Sequence, residues 1–130
     1  MIFGIGTDLC ETARMEQAIA REAFLNRVFS AEERALITTR TGKRRAETAA
    51  ANFAAKEAFL KACGLGLGGF ALADIGVLRR ESGAPCYALS GEAARFLAEH
   101  RLTAHLSLSH DAGLACAFAV LEQREGERKS

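Results

Sequence analysis

The sequence holds no C-x-x-C pair, no run of eighteen apolar residues, no large excess of one charge and no internal repeat. Each absence removes a class of protein. Cys10, Cys63, Cys86 and Cys116 stand far apart, so neither a zinc site nor a disulfide framework is expected. Reduced, buried thiols in a cytoplasmic protein are expected instead. Without a long apolar run there is no candidate membrane span. Residues 1–10 (MIFGIGTDLC) lack a basic leader and read as a strand, not as a signal peptide. A net charge of +1 predicts no global attraction to nucleic acid, so any basic patch must be local. No glycine loop opens a helix as Walker and dinucleotide loops do, and no nucleophile elbow is present. No linker interrupts the 130 residues, so residues 1–130 read as a single α+β domain.

What the chain does hold centres on residues 52–69, NFAAKEAFLKACGLGLGG. Nothing breaks a helix between residues 46 and 63, and Gly64 is the residue type that most often caps a helix C-terminus. At 3.6 residues per turn, Phe53, Glu57, Leu60, Lys61 and Gly64 share one stripe. Two readings of that stripe stand. Glu57 and Lys61 form either an ordinary i,i+4 pair on a solvated face or a metal ligand beside a phosphate ligand. The apolar neighbours Phe53 and Leu60 argue against a solvated face.

In chain order, residues 1–10 alternate Phe3, Ile5, Thr7 and Leu9 against Gly4, Gly6 and Asp8. Glycines on one strand face mark where something approaches the backbone closely. Asp8 ends that face, either as a metal or ligand contact or as the residue that turns the chain. Thr12 is a candidate N-cap for a helix to about residue 19, and Ser30 with Glu33 forms a capping-box pattern. Arg14, Ala18 and Arg21 share one helix face, with Arg27 following. This is a solvated basic face or a docking patch for an acidic partner.

Residues 41–45 read as the break before the long helix. Lys43, Arg44 and Arg45 then sit where the helix dipole disfavours cations, which hints at anion binding. Residues 75–80 and 85–89 form a strand pair, and Ser90 caps a helix to about residue 100. Residues 103–109 and 114–121 form a hairpin turned by residues 110–113, the second strand being apolar on both faces and therefore central and buried. His110, at the loop mouth, is placed for ligand contact. The charged residues 122–130 are expected to fray.

Three blocks, GIGTDLCETAR (4–14), NFAAKEAFLKACGLGLGG (52–69) and LSLSHDAGLACAFAVLE (106–122), together resemble the holo-[acyl-carrier-protein] synthases, small 4'-phosphopantetheinyl transferases. The resemblance covers essentially the whole chain. It implies a small antiparallel sheet wrapped around one long central helix. It implies transfer of phosphopantetheine from coenzyme A to a serine of apo acyl carrier protein, releasing adenosine 3',5'-bisphosphate for fatty acid biosynthesis. Mg2+ and a homotrimer with sites between subunits are implied as well. By the same resemblance Asp8 and Glu57 hold the metal, and Glu57, Lys61 and His110 serve catalysis. Lys61 and His110 contact the coenzyme by that resemblance, Lys43, Arg44 and Gly64 are read as further coenzyme contacts, and Arg14 and Arg21 dock the carrier.

The residue types suit that chemistry. The carrier serine is the nucleophile, so the enzyme positions groups and neutralises phosphate charge. Mg2+ takes one or two protein carboxylates and completes its shell with water and phosphate. Asn52 departs from the family, which carries arginine there, so a grip on the coenzyme 3'-phosphate is expected to weaken at that position. Leucine also stands in the glycine loop where the family carries threonine. Two rivals remain: a non-catalytic coenzyme A or carrier-binding module, and a Mg2+-dependent phosphohydrolase that needs no carrier.

Overall fold

The computed structural model describes residues 1–66 and 68–125. The elements are β1 (Ile2–Glu11), α1 (Thr12–Ile19), α2 (Glu22–Val28), α3 (Ala31–Thr39), α4 (Lys43–Cys63), β2 (Ile75–Arg79), β3 (Pro85–Leu89), α5 (Gly91–His100), β4 (Leu102–Asp111) and β5 (Leu114–Gln123). A single 3-10 turn, Leu72–Asp74, precedes β2. β5 pairs antiparallel with both β1 and β4, giving a three-stranded sheet, and β2 with β3 forms a separate ribbon.

The long helix is the centre. α4 buries thirteen of its 21 residues, so it is enclosed on most sides instead of lying amphipathic on a surface. Alanine makes that possible. Ala50, Ala54, Ala55 and Ala58 are fully buried, and their small side chains let other elements approach the helix backbone. The closest approach is from β1. A methyl group on Gly4 would overlap the Ala62 carbonyl oxygen, and one on Gly6 would overlap that of Ala58. The glycine face of β1 therefore lies against α4. Asp8, next on that face, is carried to the helix.

Several boundaries differ from expectation. α4 begins three residues before residue 46, because Gly42 (φ 59) makes the break by itself and Lys43, Arg44 and Arg45 enter the first turn. Thr12 is the first helical residue, with Glu11 as N-cap and no side-chain cap. The 22–28 helix went unseen, its seven residues being too short for a clear period. Ser30 and Glu33 do form the capping box. Ser90 stands at its N-cap position, but its hydroxyl donates to Asp74 Oδ1 at 3.1 Å. The hairpin turn is only Ala112 (φ 51) and Gly113 (φ 79), the two-residue form that matches strand twist. His110 consequently stays within β4, opposite Ala115, and faces α4.

β5 is central, but it is buried on one face only. Ala115, Ala117, Ala119 and Leu121 are at most 1% exposed, whereas Phe118 on the other face is 44% exposed. Its neighbours on that outer face are Thr7 of β1 and Ser107 of β4, flanked by Ile5 and Leu9. Cys63 alone of the four free thiols is buried; the other three are half-buried. β5 continues to Gln123 instead of fraying at 122, and residues 126–130 lie outside the described residues, as does Leu67 of the glycine loop.

A buried polar network fixes α4 against its surroundings. Lys56 Nζ lies 2.6 Å from Glu33 Oε1 with both side chains fully buried, and it donates to the carbonyls of Leu72 (2.9 Å) and Ile75 (2.8 Å). Glu33 also accepts from Asn52 Nδ2 (3.0 Å) and the Val77 amide (3.2 Å). One carboxylate thus ties α3, α4 and β2 together.

Candidate functional site: a carboxylate pair beside a basic groove

Asp8 and Glu57 arrive from different elements and meet beside Lys61. Lys61 Nζ donates to the Thr7 carbonyl at 2.9 Å and to Asp8 Oδ1 at 3.2 Å. The ordinary i,i+4 reading of Glu57 and Lys61 does not hold, because the ion pair of Lys61 is with Asp8 across the helix–strand contact. Burial first, and then the charge of Asp8, raise the Glu57 carboxyl above its ordinary value, with Lys61 offsetting part of the effect. Leu60, expected beside them, turns into the core. Two carboxylates held close in partial burial repel unless a cation sits with them, and hard oxygen donors suit a Mg2+-type ion. Among the described residues no cluster of three or more His, Cys, Asp or Glu side chains exists, so the protein supplies two ligands at most here.

Beside this pair runs a groove of about 550 Å3, lined by Leu9, Cys10, Arg14, Arg21, Phe24 and Phe53 among others. Phe53 lies one turn before Glu57 on the same stripe of α4. Cys10 connects groove and carboxylates, its thiol pushed up by burial and by Asp8. Arg21 lies over the Phe24 ring at 5.6 Å and Arg27 at 6.0 Å. The groove is therefore basic along one wall and apolar on its floor, which fits an acidic partner with an apolar contact.

Residues 4–119 match the 4'-phosphopantetheinyl transferase superfamily. The chain belongs to that family. The holo-[acyl-carrier-protein] synthase of Clostridium beijerinckii is 43% identical over 123 residues, covering 94% of this chain and 98% of the relative. That of Sphingopyxis alaskensis is 45% identical over 130 residues, covering 94% and 97%. Among solved structures, the Bacillus anthracis holo-(acyl-carrier-protein) synthase in complex with CoA (3',5'-ADP) superposes with a TM-score of 0.81 at 35% identity, covering 95% of this chain and 99% of that one.

In this transferase the other expected site residues fall elsewhere. His110 lies with Arg40, Arg44, Glu47, Thr48 and Arg79 around a second pocket of about 180 Å3. Lys43 is exposed at the first position of α4 and does not line that pocket. Gly64 (φ 81) is the exposed left-handed C-cap at the far end. The expected coenzyme contacts thus form two groups on one chain, Arg44 and Lys61 being roughly 25 Å apart along the helix. Arg44 and Lys61 also project roughly 100° apart around it at 100° per residue.

Asn52 faces neither group. It is fully buried, with Nδ2 donating to Glu33 and to the Val77 carbonyl at 2.9 Å. Position 52 lies one turn before Lys56 on the core-facing stripe, and its amide serves the buried network. Sequence reasoning missed Arg40 and Arg79. Arg40 stands at the C-cap of α3 and Arg79 ends β2, and no local pattern joins two such distant positions.

Proposed function

We propose that this transferase moves 4'-phosphopantetheine from coenzyme A to a serine of apo acyl carrier protein, leaving adenosine 3',5'-bisphosphate, in the cytoplasm and for fatty acid biosynthesis. The observation that carries the reading is the Asp8–Glu57 pair with Lys61 beside it, next to a basic apolar groove. Its relatives bear the holo-[acyl-carrier-protein] synthase name, and one is solved with CoA (3',5'-ADP).

In the reaction the carrier serine oxygen bonds to the phosphorus that bears pantetheine. The bridging P–O bond of the pyrophosphate breaks, and the nucleotide leaves with that oxygen. Asp8 and Glu57 would hold Mg2+, which when bound would neutralise charge on the pyrophosphate. Lys61, freed from Asp8, gives a further point charge to the phosphate oxygens. The serine proton leaves through water held by Glu57. Gly64 keeps the end of α4 open to the coenzyme. Arg44, His110 and Lys43 meet its nucleotide end. Arg14 and Arg21 steer the acidic carrier into the groove.

The two coenzyme-facing groups lie roughly 25 Å apart along α4 on one chain. A homotrimer in which one copy's carboxylate pair faces a neighbour's His110 pocket brings them to a single coenzyme. The outer sheet face supports this assembly: Ile5 is 58%, Leu9 61% and Phe118 44% exposed. Such an apolar patch on a monomer invites a partner. Phe118→Asp should convert the trimer to monomers in sedimentation and abolish transfer together.

Incubation with Mg2+, coenzyme A and several apo carriers, read by intact-protein mass spectrometry, tests the reading. One phosphopantetheine mass on the carrier is expected, lost with EDTA and severely slowed in Asp8→Asn and Glu57→Gln. Binding of coenzyme A without transfer would make the chain a binding module. Consumption of coenzyme A without carrier would make it a phosphohydrolase.

A further inference from the structure

Alanine makes the surface of α4 smooth. Eight of its thirteen buried residues are alanine, and a methyl group offers only a shallow ridge to fix how a helix is turned against its neighbours. Phe59 and Leu60 add bulk, but apolar contact has no preferred direction. Gly4 and Gly6 set how near β1 comes to the helix backbone, and say less about the angle at which α4 presents its side chains.

Lys56 supplies that direction. Its ammonium has three protons and three acceptors on three other segments: Glu33 Oε1 on α3 (2.6 Å), the Leu72 carbonyl in the 3-10 turn (2.9 Å) and the Ile75 carbonyl on β2 (2.8 Å). The acceptors are themselves held. Glu33 also accepts from the Ser30 amide (3.0 Å), from Asn52 Nδ2 (3.0 Å) and from the Val77 amide (3.2 Å). Phe29, fully buried, closes the site with its ring centroid 5.3 Å from Nζ. A buried ion pair is a poor source of stability, because apolar residues of similar volume often do as well or better. What this one adds is geometry.

Glu57 is the next residue and projects about 100° around the axis from Lys56, with Lys61 at about 140°. Side chains end roughly 5–6 Å from a helix axis, so a rotation of about 10° carries the Glu57 carboxylate about 1 Å. A shift of that size costs about a hundredfold in rate. We propose that Lys56 is a positioning residue of the transferase: its three bonds set the rotation of α4 that brings Glu57 and Lys61 to Asp8. This rests on the transferase reading above and gives a role in the reaction to a side chain sealed from substrate.

The test separates geometry from stability. Lys56→Met/Glu33→Gln removes both charges together, Glu33→Gln alone keeps a carbonyl acceptor for Lys56, and Leu102→Ala opens a cavity in the core at the start of β4. Each is melted with and without Mg2+, and transfer is measured well below melting. The double variant should lose roughly ten- to a hundredfold in kcat with little change in carrier KM, and its Mg2+-induced rise in melting should shrink by about half or more. Glu33→Gln and Leu102→Ala should melt lower, yet keep kcat within about threefold and the native response to Mg2+. If the double variant fails to fold, Lys56→Gln/Glu33→Gln, which refills the site with amides, takes its place. Native kcat and Mg2+ response in a folded double variant overturn the proposal, and so does an equal loss of kcat in Leu102→Ala. A Mg2+ response in the native protein that is lost in the double variant and kept in Leu102→Ala, without transfer to any carrier, would uphold the positioning and overturn the transferase reaction. A native protein with neither transfer nor a Mg2+ response would overturn both.

Discussion

Gly6→Ala isolates the feature that builds the site. Gly6 lies where β1 crosses α4, and a methyl there would overlap the Ala58 carbonyl oxygen. It would also stand 2.8 Å from the Ala62 nitrogen and 2.9 Å from Lys61 Cβ. Two of these three atoms belong to the helix backbone, so no rotamer change relieves the overlap. Strand and helix must part by on the order of 1 Å to restore ordinary contact. Overpacking of this kind costs about 1–3 kcal/mol, and the upper end applies because the obstacle is backbone. Replacing glycine also stiffens the unfolded chain, worth about 0.4–1 kcal/mol in the opposite sense, which is too little to win. Melting should fall by roughly 10 °C for a domain this size. The same displacement separates Asp8, two residues on, from Glu57 and Lys61, and a misplacement near 1 Å costs about a hundredfold in rate. Gly76→Ala is the control. Its methyl would stand 2.6 Å from the Ala88 carbonyl oxygen within the β2–β3 ribbon, so it should lower melting without a comparable loss of rate. Calorimetric melting and steady-state transfer are the assays. A Gly6→Ala protein melting within a degree or two of the native one, with unchanged kcat, would refute the claim that glycine clearance sets the site.

Lys56→Met should destabilise by about 3–5 kcal/mol in urea unfolding, since it strands the buried Glu33 charge, and the double variant with Glu33→Gln should lose less than the two singles summed. Glu57→Gln should slow transfer yet raise melting of the metal-free protein by about 1–3 °C, as a screened repulsion with Asp8 is removed. The sign follows from a folded pKa above the unfolded one. The penalty is present at neutral pH, where Glu57 is ionised in both states, and vanishes below the unfolded carboxylate pKa, so the gain should disappear in acid melts. Arg14→Glu should raise the carrier KM about tenfold, an effect muted by high salt, and leave coenzyme A affinity nearly unchanged. Equal losses for both substrates would place Arg14 in the coenzyme site.

The sequence alone determined what local chemistry determines. Alanine runs and a terminal glycine mark α4, the Ser30–Glu33 box starts α3, and alternation marks the strands, because propensity, capping and period act over a few residues. The Gly4–Gly6–Asp8 face and the Glu57–Lys61 stripe were legible in the same way, each as half of a site. Only the tertiary structure decided that these halves meet, since the contact of β1 with α4 depends on backbone approach across fifty intervening residues. It also decided the fate of Glu33, Asn52 and Lys56. Each reads as an ordinary helix residue, yet a buried charge finds its partners on other elements or not at all. Arg40 and Arg79 were invisible for the same reason. They meet only in a pocket shared with Arg44, Glu47 and His110, and spacing along a chain does not encode which distant side chains will line one pocket.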